Sequence, residues 1–170
     1  MTRIALLGLT ALSAVALAGC AKKQELNVTD AYIRFSPVAG NPSAAYFTVH
    51  GGDTDVKLID VSTEVAIRTE MHESMSQGGP STGSGGAMAS MKPVMSVPIP
   101  ARSIVKFEPG GLHVMIWKIN PGLAPPKAVT LTFAFSNGER IQADAPLVAA
   151  GDGAPGAKKN SHSVRHDEQG

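Results

Sequence analysis

IVKFEPGGLHVMIWKI, residues 104–119, is the stretch that predicts the fold. Two apolar runs, residues 104–108 and 112–119, flank a turn signal at residues 109–111. Successive side chains of a strand point to opposite faces, so His113 and Met115 project to one side and Val114 and Ile116 to the other. We expect Val114 and Ile116 to face a core, which predicts a sheet with one buried side.

Similar runs of strand length occur along most of the chain, at residues 31–35, 44–50, 56–61, 64–71, 129–135 and 140–143. Asn137-Gly138, between the last two runs, is typical of a hairpin turn. No window of 11 residues downstream of residue 20 has the pattern of an amphipathic helix. This spacing of short strands predicts an all-β sandwich or barrel.

Composition narrows the class of protein. The chain has 18 glycines and 12 prolines in 170 residues, which favours many turns. Net charge is +1 and only 17% of residues are charged, so no nucleic-acid surface is expected. No Ser/His/Asp set, paired carboxylates or phosphate-binding loop is apparent, so we do not expect an enzyme.

The N-terminus predicts export. Residues 1–19 have the form of a lipoprotein signal peptide, closing in Leu-Ala-Gly before Cys20, the only cysteine. We expect Cys20 to be lipidated and to hold the protein at the periplasmic face of a bacterial membrane; the alternative is a plain signal peptide with an incidental cysteine. Residues 20–26 then form a tether, 27–150 one domain, and 151–170 a disordered, histidine-containing tail.

Methionine and histidine are concentrated in one part of the chain. Six of the seven methionines lie between residues 71 and 115, together with two of the five histidines: Met71, Met75, Met88, Met91, Met95 and Met115, with His72 and His113. Thioethers suit Cu(I), and imidazole is a borderline partner for copper. We expect a shallow, exposed site for one cuprous ion, built without carboxylates or thiols. The absence of a further cysteine disfavours a blue-copper protein.

Plainer interpretations remain open for single residues. A lone methionine such as Met88 or Met95 is more often core filler. Trp117, on the strand face of His113, either shields the site or packs beside it. In the tail, His162 and His166 would suit Cu(II), or they are simply solvated.

Residues from about 28 to 147 resemble the periplasmic copper chaperone family PCu(A)C, whose signature is H-x10-M-x21-H-x-M. Met91-x21-His113-Val-Met115 matches the second half of that signature, and PGGLHVM at 109–115 agrees with it. The resemblance implies a cupredoxin-like Greek-key β-sandwich and Cu(I) ligands His72, Met91, His113 and Met115. It also implies delivery of copper to the copper-bearing subunit of cytochrome c oxidase, at its dinuclear centre, or to another copper-transfer protein.

One spacing departs from the signature. Eighteen residues separate His72 from Met91 where the family has ten, and an insertion within QGGPSTGSGG, between two hairpin arms, accounts for the surplus of eight. Met71, Met75 and Met88 are additional candidate ligands, the first two as replacements for His72 or supplements to it.

Other functions stay open beside the chaperone. The protein could store or detoxify copper without a dedicated recipient. It could be a structural surface lipoprotein whose methionines are incidental. It could also be a copper redox enzyme, which requires turnover and an open coordination position.

Overall fold

The structure is a computed structural model that describes residues 22–38, 40–75, 90–120, 122–150, 152 and 154–155. Within these ranges every regular element is a strand. The ten strands are β1 (Asn27–Phe35), β2 (Ser43–His50), β3 (Val56–Ser62), β4 (Arg68–Met75), β5 (Ser90–Pro93), β6 (Val97–Ile99), β7 (Ile104–Phe107), β8 (Leu112–Trp117), β9 (Ala128–Phe135) and β10 (Arg140–Ala149). The expected all-β class is confirmed.

The strands form one curled sheet whose two halves pack face to face as the two layers of a sandwich. The strand order is β5-β4-β8-β7-β2-β1-β10-β9-β3-β6. β10 joins the halves because it pairs antiparallel with β9 up to Pro146 and parallel with β1 from Leu147 onward. The expected cupredoxin-like Greek-key sandwich is confirmed.

Aromatic rings connect the two halves through the core. Phe47 on β2 stacks on Phe107 of β7 at 4.1 Å between ring centroids, and meets Phe133 of β9 edge-on at 4.7 Å. All three rings are buried. On β8, Val114 and Ile116 are also buried, as the alternation of residues 112–119 predicted. One face of β8 therefore belongs to the core, and His113 and Met115 lie on the other.

The strand that carries His72 lies later in the chain than its apolar residues suggested. We expected residues 64–71, but β4 spans Arg68–Met75, so His72 lies inside the strand. Residues 64–67 instead form a turn, held where Asn120 N–H donates to Val65 O at 2.9 Å and Ile67 N–H to Trp117 O at 3.2 Å. Strands β5 and β6 were not predicted. β5 is an edge strand with no buried residue, and β6 has only three residues.

Some predictions concern residues outside the described ranges. These are the signal peptide, Cys20, Met88 and the tail histidines His162 and His166. The described residues contain no helix that is long and apolar enough to cross a membrane.

Candidate metal centre

Two histidines meet on the face of the sheet that points away from the core. β4 and β8 pair antiparallel, and their register places His72 directly opposite His113. Residues directly opposite each other project to the same face, with Cβ atoms about 5 Å apart. The two ring centroids lie 5.9 Å apart. His72 and His113 therefore form an adjacent imidazole pair, although 40 residues of sequence separate them.

Two methionines flank this pair on the same face. β5 pairs with β4 so that Met91 lies opposite Ser74, diagonal to His72 on one side. On the other side, Met115 of β8 lies opposite Glu70, again diagonal to His72. Diagonal neighbours in an antiparallel pair lie about 7–8 Å apart, within reach of a long side chain. Three adjacent strands thus place two thioethers around two imidazoles.

His113 is held in a defined orientation. Its Nδ1 lies 3.0 Å from the carbonyl oxygen of Gly111. Because a carbonyl only accepts hydrogen bonds, Nδ1 carries the proton and Nε2 has the free lone pair. That Nε2 is buried and has no hydrogen-bond partner among the described residues. A buried nitrogen without a partner is costly in an apo protein, and it is the atom that a metal ion would use.

His72 has the opposite arrangement. Its Nε2 lies 3.2 Å from the Glu70 carboxylate, which in its ionised form also only accepts, so Nε2 carries the proton. Its Nδ1 is buried and, within the described part of the chain, unpartnered. The structure therefore leaves one free lone pair on each ring, at Nδ1 of His72 and Nε2 of His113.

The centre is more buried than the sequence suggested. We expected a shallow, exposed site, but His113 is only 4% exposed and the His72 side chain 13%. β8 lies inside the sheet between β4 and β7, so its residues have neighbouring strands on both sides. Met91, on the edge strand, is 54% exposed, and Met115 on β8 is partly exposed. The expectation of a shallow, exposed site was therefore wrong for the two histidines, whereas Met91 is exposed.

A carboxylate lies beside the histidines, which sequence reasoning missed. Glu70 contacts His72 and also pairs with Arg68, whose Nε lies 3.5 Å from Glu70 Oε1. The Arg68 guanidinium lies 4.3 Å from the centre of the Trp117 ring, and that ring is 6.0 Å from the His72 ring. The expectation of surroundings without carboxylates was therefore wrong. Extending the predicted strand to Met75 would have placed Arg68, Glu70 and His72 on one face by simple alternation.

The two further candidates within the described residues, Met71 and Met75, are not brought to this group. Met71 lies in the hydrophobic core, 6% exposed, on the opposite face of β4 from His72. Met75 is the last residue of β4. It lies on the same face as Met71 and is half exposed. Met88, His162 and His166 lie outside the described residues, so their candidacy stays a prediction.

The donor set would suit a soft ion. In the described ranges, no group of three or more histidine, cysteine, aspartate or glutamate side chains is arranged to hold a metal. Two imidazole rings lie side by side here, with a methionine diagonal to His72 on either side, and imidazole and thioether ligands together favour Cu(I) over hard cations. His72, His113, Met91 and Met115 together could supply the four ligands of one such ion.

The sequence of the domain matches a known protein family. Residues 26–147 match the protein family described as "Putative lipoprotein LpqE-like". No curated protein sequence matches the chain significantly.

Solved structures share the fold. The copper-bound PCuAC domain of PmoF2 is 19% identical, with a TM-score of 0.56, and the similarity covers 75% of this chain and 97% of that domain. The Cu(I) form of DR1885 from Deinococcus radiodurans is 23% identical, with a TM-score of 0.53 over 78% of this chain and 82% of that protein. Its apo form is also 23% identical, with a TM-score of 0.52 over 88% and 95%. The resemblance to PCuAC domains predicted from the sequence is confirmed.

Proposed function

Because the chain belongs to the LpqE-like family and has the fold of PCuAC domains, we propose that it is a Cu(I)-binding metallochaperone. The cargo ion binds to His72 Nδ1, His113 Nε2 and the thioethers of Met91 and Met115. The observation that carries this proposal is the pair of buried imidazole nitrogens on the adjacent strands β4 and β8, neither of which has a hydrogen-bond partner among the described residues. Copper-bound structures of the PmoF2 domain and of DR1885 support it.

The position of the centre suits transfer better than storage. Three of the four proposed ligands lie on β4 and β8, while Met91 lies on the exposed edge strand β5. A partner's ligand could replace the Met91 thioether first, without unfolding the sheet around the histidines. The proposed recipient is the copper-bearing subunit of cytochrome c oxidase at its dinuclear centre. Lipidation at Cys20 would hold the protein at the periplasmic face of the membrane, in agreement with the lipoprotein description of its family.

Anaerobic Cu(I) titration against a competing chelator tests the binding step. We expect one equivalent to bind tightly to the wild-type protein. Met91→Leu should weaken binding by more than about tenfold, since even outer-shell changes at metal sites cost 10–100-fold. Met95→Leu is the matched control, because Met95 is 90% exposed and follows the same edge strand. Equal affinities of both variants and the wild type would contradict the assignment of Met91.

Transfer separates the chaperone from its alternative, a copper-storing or detoxifying lipoprotein. Cu(I)-loaded protein is mixed with the apo, soluble copper domain of the oxidase subunit, and copper in each is measured after separation. Movement of copper to the oxidase domain is expected for a chaperone. Retention by the loaded protein, at concentrations where a chelator of similar affinity does remove copper, would favour storage.

A second, Cu(II)-binding site in the tail remains part of the proposal, at His162 and His166. This site predicts that the protein binds a second equivalent of copper, as Cu(II), under oxidising conditions, and that this binding is lost when both histidines are replaced by alanine. The proposed Cu(I) centre does not depend on it.

A further inference from the structure

The Glu70 carboxylate divides its two oxygens between two neighbours. Oε2 lies 3.2 Å from His72 Nε2, and Oε1 lies 3.5 Å from Arg68 Nε. The Arg68 guanidinium in turn lies over the Trp117 ring, directly across from it in the β4–β8 register. Arg68 is thus held by an aromatic face while it orients the carboxylate. The contacts form a series: Trp117 packs against Arg68, Arg68 pairs with Glu70, and Glu70 contacts His72.

This network contributes little to folding stability. The Arg68 and Glu70 side chains are 56% and 39% exposed. Ion pairs at such exposed positions typically stabilise a protein by less than about 1 kcal/mol. Its effect on His72 is more specific, because an acceptor at Nε2 fixes which ring nitrogen carries the proton. It also fixes the ring's orientation, with Nδ1 directed away from the carboxylate.

We propose that Glu70 is a positioning residue for copper binding. Its carboxylate holds the proton on His72 Nε2, so that Nδ1 is the nitrogen that binds Cu(I). The inference rests on the proposed function and adds a residue and an atom to it. His113 has the reverse arrangement, because its Nδ1–H donates to the Gly111 carbonyl and leaves Nε2 as the nitrogen that binds the metal. Carboxylate–histidine pairs of this kind raise the basicity of a ligand, and their loss typically lowers metal affinity by about 10–100-fold. Arg68 acts one step further out, through Glu70.

The first test needs no metal. Long-range proton–nitrogen correlation spectra of the ¹⁵N-labelled apo protein report which nitrogen of each histidine is protonated. We expect the proton on Nε2 in His72 and on Nδ1 in His113. Addition of Cu(I), which is diamagnetic, should then shift Nδ1 of His72 and Nε2 of His113. A His72 ring protonated at Nδ1, or coordinated through Nε2, would overturn the inference.

Variants test the role of the carboxylate. Glu70→Leu removes the acceptor and should lower Cu(I) affinity by about 10–100-fold, and should also loosen the His72 ring orientation in the apo spectra. Glu70→Gln keeps an acceptor oxygen without the charge and should recover most of both properties. Glu73→Leu is the matched control, since Glu73 is an exposed glutamate on the opposite face of β4. Thermal unfolding midpoints of the apo variants should stay close to the wild type.

The outcomes separate the two proposals. If the wild type binds Cu(I) and Glu70→Leu binds it as tightly as Glu73→Leu, the positioning role is wrong while the copper centre stands. If the wild type binds no Cu(I), the proposed function fails, and Glu70 then has no role toward a metal even where the expected tautomers are seen. Weaker binding by Glu70→Leu and Glu70→Gln alike would assign the effect to charge, against the role of a hydrogen-bond acceptor.

Discussion

At the scale of single residues, the centre contains two histidines that are unfavourable for folding when no metal is bound. His72 and His113 each present a buried nitrogen without a hydrogen-bond partner among the described residues. An unsatisfied buried polar atom costs about 1–3 kcal/mol. Residues kept at such a cost are typical of functional sites, where stability is traded for activity. The apo protein should therefore tolerate replacement of a histidine better than most buried substitutions.

Replacing His72 with phenylalanine tests this cost directly. His72→Phe keeps a ring between His113 and Trp117 and removes the unpartnered Nδ1. Glu70, which loses its partner, is exposed enough to be hydrated instead. We expect the free energy of unfolding without metal to stay unchanged or to rise by about 1 kcal/mol. Urea unfolding of both apo proteins measures it, and a loss above about 2 kcal/mol would show that the imidazole stabilises the fold.

At the scale of the elements, the centre depends on strand register rather than on the segment between its ligands. β4 and β5 pair from His72–Pro93 to Met75–Ser90, so their pairing alone places Met91 diagonal to His72. Residues 76–89, between the strands, lie outside the described ranges. The ladder explains how the spacing from His72 to Met91 can exceed the family signature while both residues stay on one face.

Shortening that segment should therefore leave the centre intact. Deletion of residues 79–86 reduces the 14 residues between Met75 and Ser90 to 6 and restores the H-x10-M spacing. Loop-closure entropy predicts a gain in stability of about 0.7 kcal/mol. Cu(I) affinity should match that of the full-length chain, as measured by chelator competition. A large loss of affinity would mean that residues within the deleted segment, or its length, contribute to the centre.

Sequence alternation predicted some elements of the centre and not others. His113 and Met115 were predicted on one face of β8, since Val114 and Ile116 give that strand a clear apolar side. β5 gave no such signal, because none of its four residues is buried. Glu70 was missed because the last residues of β4 are polar, which made the strand seem to end before His72. Cross-strand register depends on contacts distant in sequence, and hydrophobic patterns detect it only where one face is buried.

At the scale of the whole molecule, the fold depends on the contact between the halves of the sheet. The all-β class of the fold was predictable because apolar and polar residues alternate along most strands and turn signals separate the strands. The continuity of the sheet was not predictable, because it depends on β10, which pairs with β9 up to Pro146 and with β1 from Leu147. The first part of β10 was predicted at residues 140–143, but its pairing with β1 begins only later. Parallel pairing of the first and last strands leaves no local signature in the sequence.

Phe47 is the residue on which the contact between the halves most directly depends. Phe47→Ala removes a ring that touches Phe107 in one half and Phe133 in the other. We expect a loss of about 3–5 kcal/mol in the free energy of unfolding, as for other buried phenylalanines. Denaturant titration measures it. Phe35→Ala is the comparison, because Phe35 is only partly buried at the margin of the core, and an equal loss there would contradict a special role for Phe47.

The parallel contact between β1 and β10 also determines how the protein would respond to force. β1 begins near the proposed membrane tether, and β10 ends beside the far end of β1, where Phe35 lies opposite Ala149. A pull on the C-terminus against an anchored N-terminus would draw these two strands past each other along their length. Their hydrogen bonds would then be strained together rather than opened one at a time, so the protein should resist stretching by its own ends.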